Sequence, residues 1–351
     1  MNRNGRPSGS IIKFKGPSSA VQIPPESAAS YIRGYYPSYF EHVHPLYPFL
    51  DRQSFEAQVF NTNLQQLLST SAPFSALYHT VLALGCQYQE GGTFDPGQGK
   101  AWKLFQISLG LFPDVLVPRE TLVNVQAVTA MAIFALNLSC LQIGQTMVSE
   151  AARMAQSLGF GRATCCNDNA EYHRTFWVIY TIEKMDSFYS GRNSILIDYD
   201  IGAPIPVTPE ATFGDFDWFL SSARFSRLLS KAFEMLFSVT ARMNSVESYY
   251  SAIDMTSDDL ERWRNSIPEQ FRPGLPFRAQ HFVSSCALQV ALRIHYYYYS
   301  GVIALSRLTL NVGAANPGPR ESESKKALMN AARFIIELTR YIDAEAYTPI
   351  W

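Results

Sequence analysis

The spacing of apolar side chains predicts two consecutive helices in the middle of the chain. Apolar residues recur four, three and four residues apart, as on one face of a helix, at Met147, Ala151, Met154 and Leu158. Gly159 follows directly, and Phe160 comes after it, which is typical of a helix that ends on glycine. Residues 174–189 are apolar on nearly every side. That pattern predicts a buried helix.

The residues after this second helix predict a different kind of element. Residues 195–206 include two prolines near their end, which favours an extended loop laid over the surface. The same periodicity predicts further helices, several of them bounded by glycine or proline, at residues 73–85, 102–112, 122–138, 213–242, 286–310 and 326–342. Ser257 predicts the start of one more helix, because two aspartates follow it.

These elements predict an all-α fold. We expect a single large domain of stacked, antiparallel helices over residues 27–351, joined by long loops that contain proline. Residues 1–26 are polar and rich in glycine, serine and proline, so we expect a disordered or extended lead-in. The last predicted helix is expected to pack through Ala327, Ala331, Phe334 and Leu338.

Three motifs within residues 150–206 resemble one protein family. The first, E-A-x-R-x-A-x-x-L-G-L-H-R, is matched by Glu150, Ala151, Arg153, Ala155, Leu158, Gly159 and Arg162. The second, R-x-F-W-x-x-Y followed by S-x-x-x-G-R, is matched by Arg174, Phe176, Trp177, Tyr180, Ser187, Gly191 and Arg192. The third, I-x-D-x-D-I-x-x-P-x-P, is matched with its first isoleucine one place adrift by Ile197, Asp198, Asp200, Ile201, Pro204 and Pro206. The chain resembles the middle regulatory region of fungal zinc-cluster transcription factors.

The chain departs from the family pattern at a few positions. Gly161 stands where histidine is usual, Glu183-Lys184 replaces Asp-Arg, and Asn193 replaces proline. The resemblance spans about residues 28–351, and the carboxyl end is expected to be truncated relative to the family. It implies an effector-responsive region that regulates transcription of RNA polymerase II genes in the nucleus. It also implies a small-molecule effector, and a homodimer or a regulator partner.

Charge and cysteine spacing argue against a DNA-binding module in these residues. The net charge is −1, without the basic excess that phosphate contacts require. The family's module is a cluster of six cysteines holding zinc, whereas the five cysteines here show no C-x-x-C spacing. Cys165 and Cys166 are adjacent in a predicted loop. We therefore expect no direct DNA binding, no metal and no cofactor in this chain. No apolar run reaches membrane-spanning length.

Few residues suggest catalysis or metal binding. The chain has no G-x-S-x-G, H-E-x-x-H or G-x-G-x-x-G motif, so an enzyme is not expected. Asp198 and Asp200 form a carboxylate pair, for which a solvated turn is favoured over acid–base chemistry. His42 and His44 lack a third ligand at a convincing spacing.

Glu183 raises a different question, because it falls on the aromatic face of the predicted buried helix. A buried carboxylate requires a partner, and the arginines of the motifs are candidates. The pair either fixes helix packing or leaves Glu183 as a polar anchor for a small effector in a helical cavity. The candidate structural or effector-cavity residues are Arg153, Arg174, Trp177, Tyr180, Glu183 and Arg192.

Three alternatives to the regulatory region of a zinc-cluster factor stay open. The chain is a fragment that lacks its zinc cluster, a regulator that acts through partners without binding DNA, or an enzyme on a recycled helical fold. The sequence patterns do not indicate the target genes, the identity of the effector, or whether the regulator activates or represses transcription.

Overall fold

The computed structural model describes residues 25–60, 63–89, 93, 96–117, 121–138, 140–162, 170–315 and 318–342, with side chains from residue 34. Within these ranges the fold is all-α, as predicted. The first half contains α1 Pro25–His42, α2 Arg52–Phe60, α3 Leu64–Thr70, α4 Ala72–Gln89, α5 Gly99–Leu116, α6 Leu122–Asn137 and α7 Leu141–Ser157. The second half contains α8 Ala170–Ser190, β1 Thr212–Phe213, β2 Phe216–Asp217, α9 Trp218–Ala232, α10 Val246–Asn265, α11 Ser285–Val312 and α12 Pro319–Leu338.

Helix α4 lies at the centre of the first half. Fourteen of its 18 residues are buried, because α1, α5 and α6 pack around it. Gly85 was expected to end this helix, but α4 continues to Gln89. A Cβ at Gly85 would lie 1.8 Å from the carbonyl oxygen of Tyr35. The glycine therefore permits close approach of α1 rather than ending the helix.

From α6 onward, helices that follow one another in the chain pack side by side, from α6 against α7 through to α11 against α12. The predicted glycine-terminated helix is confirmed at α7. Gly159 adopts φ +71°, and the amide of the buried Phe160 donates to the carbonyl of Ala155. This arrangement satisfies carbonyl groups at the end of α7 and turns the chain towards α8.

The prediction of one long helix over residues 213–242 is wrong. β1 and β2 form a hairpin there, with Phe213 opposite Phe216 and a two-residue turn between them. Gly214 in that turn has φ +67°, a conformation that glycine adopts without strain. Helix α9 begins only after Asp217, whose carboxylate accepts the amide of Leu220 at 2.9 Å.

The helix predicted to start at Ser257 begins earlier. Its N-cap is Ser245, whose hydroxyl accepts the amide of Ser248 at 3.2 Å. Ser257 lies in the middle of α10, because the buried stripe that includes Ile253 continues through it to Leu260. The serine-aspartate pattern at Ser257 therefore lies inside a longer helix and does not mark its start.

The buried residues form two hydrophobic clusters of unequal size. The larger one runs through α1 and α4 to α10 and includes part of α11. The smaller one lies between α11 and α12, and its buried members are Leu292, Tyr299, Ala331 and Leu338. Ala327 and Phe334 were expected to face inward as well, but neither of them is buried. Residues 1–24 and the Cys165-Cys166 pair lie outside the described residues.

Candidate functional site

The centre of α8 carries the aromatic residues of the second motif, and they are fully buried. Trp177 and Tyr180 have no exposed surface, and Phe176 has almost none. Their rings meet edge to face, with centroids 5.5 Å apart for Phe176–Trp177 and 5.0 Å apart for Trp177–Tyr180. The predicted buried helix is therefore correct for this part of α8. Towards the end of α8 the burial decreases, and Tyr189 is exposed.

Residues 194–211, here called the strap, lie across α8. The indole of Trp177 donates to the carbonyl of Pro204 at 2.9 Å. The amides of Gly202 and Ala203 both donate to the carbonyl of Gly161, each at 2.9 Å. The predicted loop over the surface is thus tied to α8 and to the turn after α7.

Gly161 has a steric role in this arrangement. A Cβ at that position would lie 3.0 and 3.1 Å from two ring carbons of Phe176. These separations are tighter than ordinary van der Waals contact, so a larger residue would require the Phe176 ring to move. The glycine where the family usually has histidine therefore fits the closely packed ring beneath it.

Glu183 is buried, as expected, but its partners differ from the prediction. One carboxylate oxygen accepts the hydroxyl of Ser187 at 3.0 Å and the amide of Ile195 at 2.8 Å. The other accepts the hydroxyl of Ser194 at 2.7 Å. The hydrogen bonds recorded for the described residues thus hold Glu183 to the start of the strap through neutral donors. The predicted ion pair with an arginine is wrong.

Each of the three candidate arginines pairs with another carboxylate. Arg153 pairs with Glu150 at 2.8 Å near the surface, and Arg192 pairs with Asp186. Arg174 pairs with Glu210 of the strap at 2.5 Å and lies 3.5 Å from the carbonyl of Leu50. The six candidate residues are therefore not one constellation. Tyr180, Glu183, Trp177 and Arg174 hold the strap, whereas Arg153 and Arg192 lie apart from it.

Lys184 is the cation that the strap buries. Its ammonium donates to the carbonyl of Leu196 and to the hydroxyl of Ser230 at 2.9 Å. The carboxylate of Asp198 lies 3.6 Å from the ammonium and accepts the hydroxyl of Tyr180 at 2.6 Å. Burial lowers the pKa of Lys184, while Asp198 opposes that change. Burial and the neighbouring Asp198 raise the pKa of Tyr180.

Asp198 therefore does more than the solvated turn that was favoured for it. Residues Asp198–Asp200 do form a turn of 3-10 helix, and Asp200 is exposed. Asp198, however, points to α8 and bonds Tyr180 rather than its own backbone. The two aspartates have different surroundings and do not act as a pair.

His44 lies at the other end of the strap and is buried. Its Nε2 is 3.7 Å from the carboxylate of Glu210, which Arg174 also contacts. Burial, with the nearby charge of Arg174, lowers the pKa of His44 to about 3, so the imidazole is neutral at physiological pH. His42 instead stacks on Tyr88, with ring centroids 4.9 Å apart. The described residues contain no group of three or more His, Cys, Asp or Glu side chains arranged to hold a metal ion.

A groove that sequence reasoning missed lies between α10, α11 and α12. Its volume is about 320 Å³, and it combines apolar side chains with hydroxyls and two carboxylates. Tyr298 donates to Glu261 at 2.5 Å on one wall, and Arg264 pairs with Glu261 at 2.7 Å. None of the six candidate residues lines this groove. Its walls come from three helices distant in sequence, so no local pattern marks it.

No described helix has the length and apolar character needed to cross a membrane. Residues 37–271 match the family described as Fungal specific transcription factor domain. No solved structure matches the chain.

Relatives of the chain are transcription regulators by name. An ABC-transporter-regulating transcription factor of Aspergillus fumigatus is 26% identical over 72% of this chain and 31% of the relative. One of the same description from Aspergillus oryzae is 24% identical over 93% of this chain and 39% of the relative. The Candida glabrata negative regulator of pleiotropic drug resistance STB5 is 24% identical over 55% of this chain and 22% of the relative. The chain spans less than half the length of these three relatives. With the matched domain covering well over half of its residues, the chain belongs to the fungal specific transcription factor domain family, a family of transcription regulators.

Proposed function

We propose that this chain is the regulatory region of a zinc-cluster transcription regulator that acts on RNA polymerase II genes in the nucleus. One observation supports this proposal above the others. The strap is attached to α8 through side chains of the family motifs, among them Trp177, Tyr180 and Asp198. Their polar groups form hydrogen bonds between α8 and the strap, with Trp177 donating to Pro204 and Tyr180 to Asp198. In this proposal the motif residues maintain a conformation and carry out no reaction.

A regulatory region of this kind needs two conformations that differ in free energy by a few kcal/mol. We propose that the strap attached to α8 is one of them. The buried Lys184 and Glu183 each bind the strap, so detaching it strands two buried charged groups unless α8 also repacks. Attachment and detachment are therefore discrete states. Such an element is suited to masking or exposing a segment of a longer regulator.

We propose that a small-molecule effector binds in the groove between α10, α11 and α12 rather than at Glu183. The groove volume of about 320 Å³ lies at the small end of ligand sites. Both oxygens of Glu183 already accept hydrogen bonds from the protein. In the groove Glu261 is likewise paired, with Tyr298 and Arg264, but the groove also offers open volume and a second carboxylate, Glu323, for which the described residues show no ion pair. Space for a ligand therefore separates the two locations.

The strap is tested by a matched pair of substitutions in a transcription assay. The chain is inserted between an unrelated DNA-binding segment and an activating segment, and reporter output is measured in a fungal host. We expect the chain to change the output and Asp198→Ala to shift it by about fivefold, since two bonds to α8 are lost. Asp200→Ala, two residues away and exposed, is expected to behave as the parent. Equal output with and without the chain contradicts a regulatory role.

The effector is tested separately by binding. A library of small apolar compounds is screened for compounds that raise the unfolding temperature of the chain. Ala327→Trp places a large side chain in the groove and is expected to abolish the effect of any hit. A hit that acts equally on this variant binds elsewhere and contradicts the proposed location.

A dimer or a partner protein is a further part of the proposal, since the named relatives are regulators. We also propose that the chain has no catalytic activity and needs no cofactor, zinc being confined to a module outside these residues. The family and the relatives are named for transcription regulation, which supports this view.

A further inference from the structure

The outer face of α12 carries a regular row of cations and apolar side chains. The row is spaced three, four, three and four residues apart and consists of Lys326, Met329, Arg333, Ile336 and Arg340. These positions lie on one side of a helix, opposite the buried Ala331 and Leu338. All five are exposed. We call this row the basic stripe.

The cations of the basic stripe differ from several other arginines at the surface of the described residues. Arg52, Arg262 and Arg320 each form an ion pair with a carboxylate of the chain. Within the described residues no ion pair joins a carboxylate to Lys326 or Arg333. Glu323 precedes Lys326 by three residues and Glu337 follows Arg333 by four, so both are neighbours of the row on the helix surface, yet neither forms an ion pair with it within the described residues. The stripe therefore presents positive charge that no ion pair among the described residues neutralises.

Arg340 extends the stripe beyond the last turn of α12. Its guanidinium lies 4.8 Å from the ring centroid of Tyr341 and donates to the hydroxyl of that residue at 2.8 Å. Neither contact is an ion pair with a carboxylate. Both contacts hold the side chain in one place, which reduces the entropy lost when it binds a carboxylate.

The apolar members of the stripe are unusually exposed for their size. Met329 keeps 56% of its surface accessible and Ile336 keeps 69%. They are seven residues apart, about 10 Å along the helix, on the same side. Large aliphatic side chains between unpaired cations gain free energy only when a partner covers them.

We propose that the basic stripe binds an acidic segment that carries apolar side chains between its carboxylates. The carboxylates pair with Lys326, Arg333 and Arg340, and the apolar residues cover Met329 and Ile336. A helix laid along α12, with apolar residues two turns apart, matches this spacing. The surface lies away from the strap, and the proposal does not depend on the regulatory function above.

Charge and apolar pattern together favour this occupant over other anions. The phosphates of a nucleic acid would pair with the cations but would leave Met329 and Ile336 uncovered. The net charge of the chain, −1, also disfavours nucleic acid. Binding to a membrane surface requires a wide apolar face, whereas the stripe has two apolar side chains with cations on either side. An acidic peptide with apolar residues uses both features.

The test uses a fluorescent acidic peptide of about 16 residues, with leucines two turns apart among glutamates, at low and at physiological salt. Binding to the whole chain is followed by fluorescence anisotropy. We expect Lys326→Glu with Arg333→Glu to weaken binding at least about tenfold. The control is Arg224→Glu with Arg242→Glu, which changes the net charge equally at exposed positions of another surface. The control is expected to bind as the parent does.

Further arms separate charge from apolar contact. Met329→Ser with Ile336→Ser is expected to weaken peptide binding several-fold and to leave binding of polyglutamate unchanged. Equal peptide affinity in both charge-reversed proteins overturns the proposal. Tighter binding to mixed-sequence duplex DNA or to phosphatidylserine vesicles, lost in the stripe variants, also overturns it and assigns the stripe to phosphate. Self-association that the stripe variants abolish overturns it in favour of a second copy of the chain.

Discussion

Helices α8 and α12 have nearly equal lengths, 21 and 20 residues, but very different burial. Ten residues of α8 are buried, including the charged Glu183 and Lys184, whereas α12 buries three. The reason is the number of neighbours. Helix α8 is packed between α7, α9 and the strap, while α12 packs mainly against α11. A helix covered on several sides must satisfy its polar groups internally, and a helix covered on one side keeps a face for partners.

The comparison is tested most strongly at Trp177. Trp177→Ala empties a fully buried site and removes the hydrogen bond to Pro204, so we expect a loss of about 3–5 kcal/mol in the free energy of unfolding. Chemical denaturation measures this loss. The control is Tyr199→Ala on the strap, where 90% of the side chain is exposed, and it is expected to cost less than about 0.5 kcal/mol. Similar midpoints for the two variants would show that α8 is not the buried helix described.

Glu183 gives the next largest effect. Glu183→Leu leaves the partly buried amide of Ile195 without its acceptor and removes the bond from the Ser194 hydroxyl, and we expect a loss of about 1–3 kcal/mol. Arg153→Ala is expected to cost less than about 1 kcal/mol, because its pair with Glu150 is partly exposed. Denaturation of both variants under one condition measures the difference. A larger loss for Arg153→Ala would restore the ion-pair view of this region.

Much of the α8 region was predictable because its determinants are local. Apolar residues on nearly every side of residues 174–189 predict burial, and Gly159 marks the end of α7. The partners of Glu183 were not predictable in the same way. Ser194 and the Ile195 amide belong to the strap, whose path depends on distant contacts such as Trp177 with Pro204. Arginine was expected because charge is visible in a sequence, whereas a backbone donor is not.

The burial of side chains on α12 was predicted less well, because it depends on contacts with distant parts of the chain. Periodicity predicts that Phe334 is buried; its ring does stack on Tyr299 of α11 at 5.1 Å, but 44% of the residue stays exposed. A helix covered by one neighbour buries a narrower arc than the pattern suggests. The groove between α10, α11 and α12 was missed because its walls come from separate parts of the chain.

The stability of the chain is expected to depend on pH through two buried histidines, one beside the strap and one in α11. Burial lowers the pKa of His44, near the strap, to about 3 and that of His295, in α11, to about 4. Between these values and the unfolded pKa of about 6.5 the unfolded chain binds more protons, so stability is fully present above pH 6.5 and falls as pH falls. Each histidine contributes a slope of up to about 1.4 kcal/mol per pH unit.

Denaturation between pH 7 and pH 5 measures this slope. We expect His44→Gln and His295→Gln each to reduce it. An unchanged slope in both buried variants would mean that other groups cause the acid sensitivity.

The smallest effect is expected on the outer face of α12. Ile336→Ser removes an apolar side chain that keeps 69% of its surface exposed, so little buried area is lost and the free energy of unfolding should change by less than about 0.5 kcal/mol. Leu338→Ala, two residues further on and buried against α11, is the matched control and is expected to cost about 2 kcal/mol or more. Chemical denaturation of both variants, with hydrogen exchange across α12, measures the contrast. If Ile336→Ser destabilises the chain as much as Leu338→Ala, the outer face of α12 is packed against the protein and is not a surface for a partner.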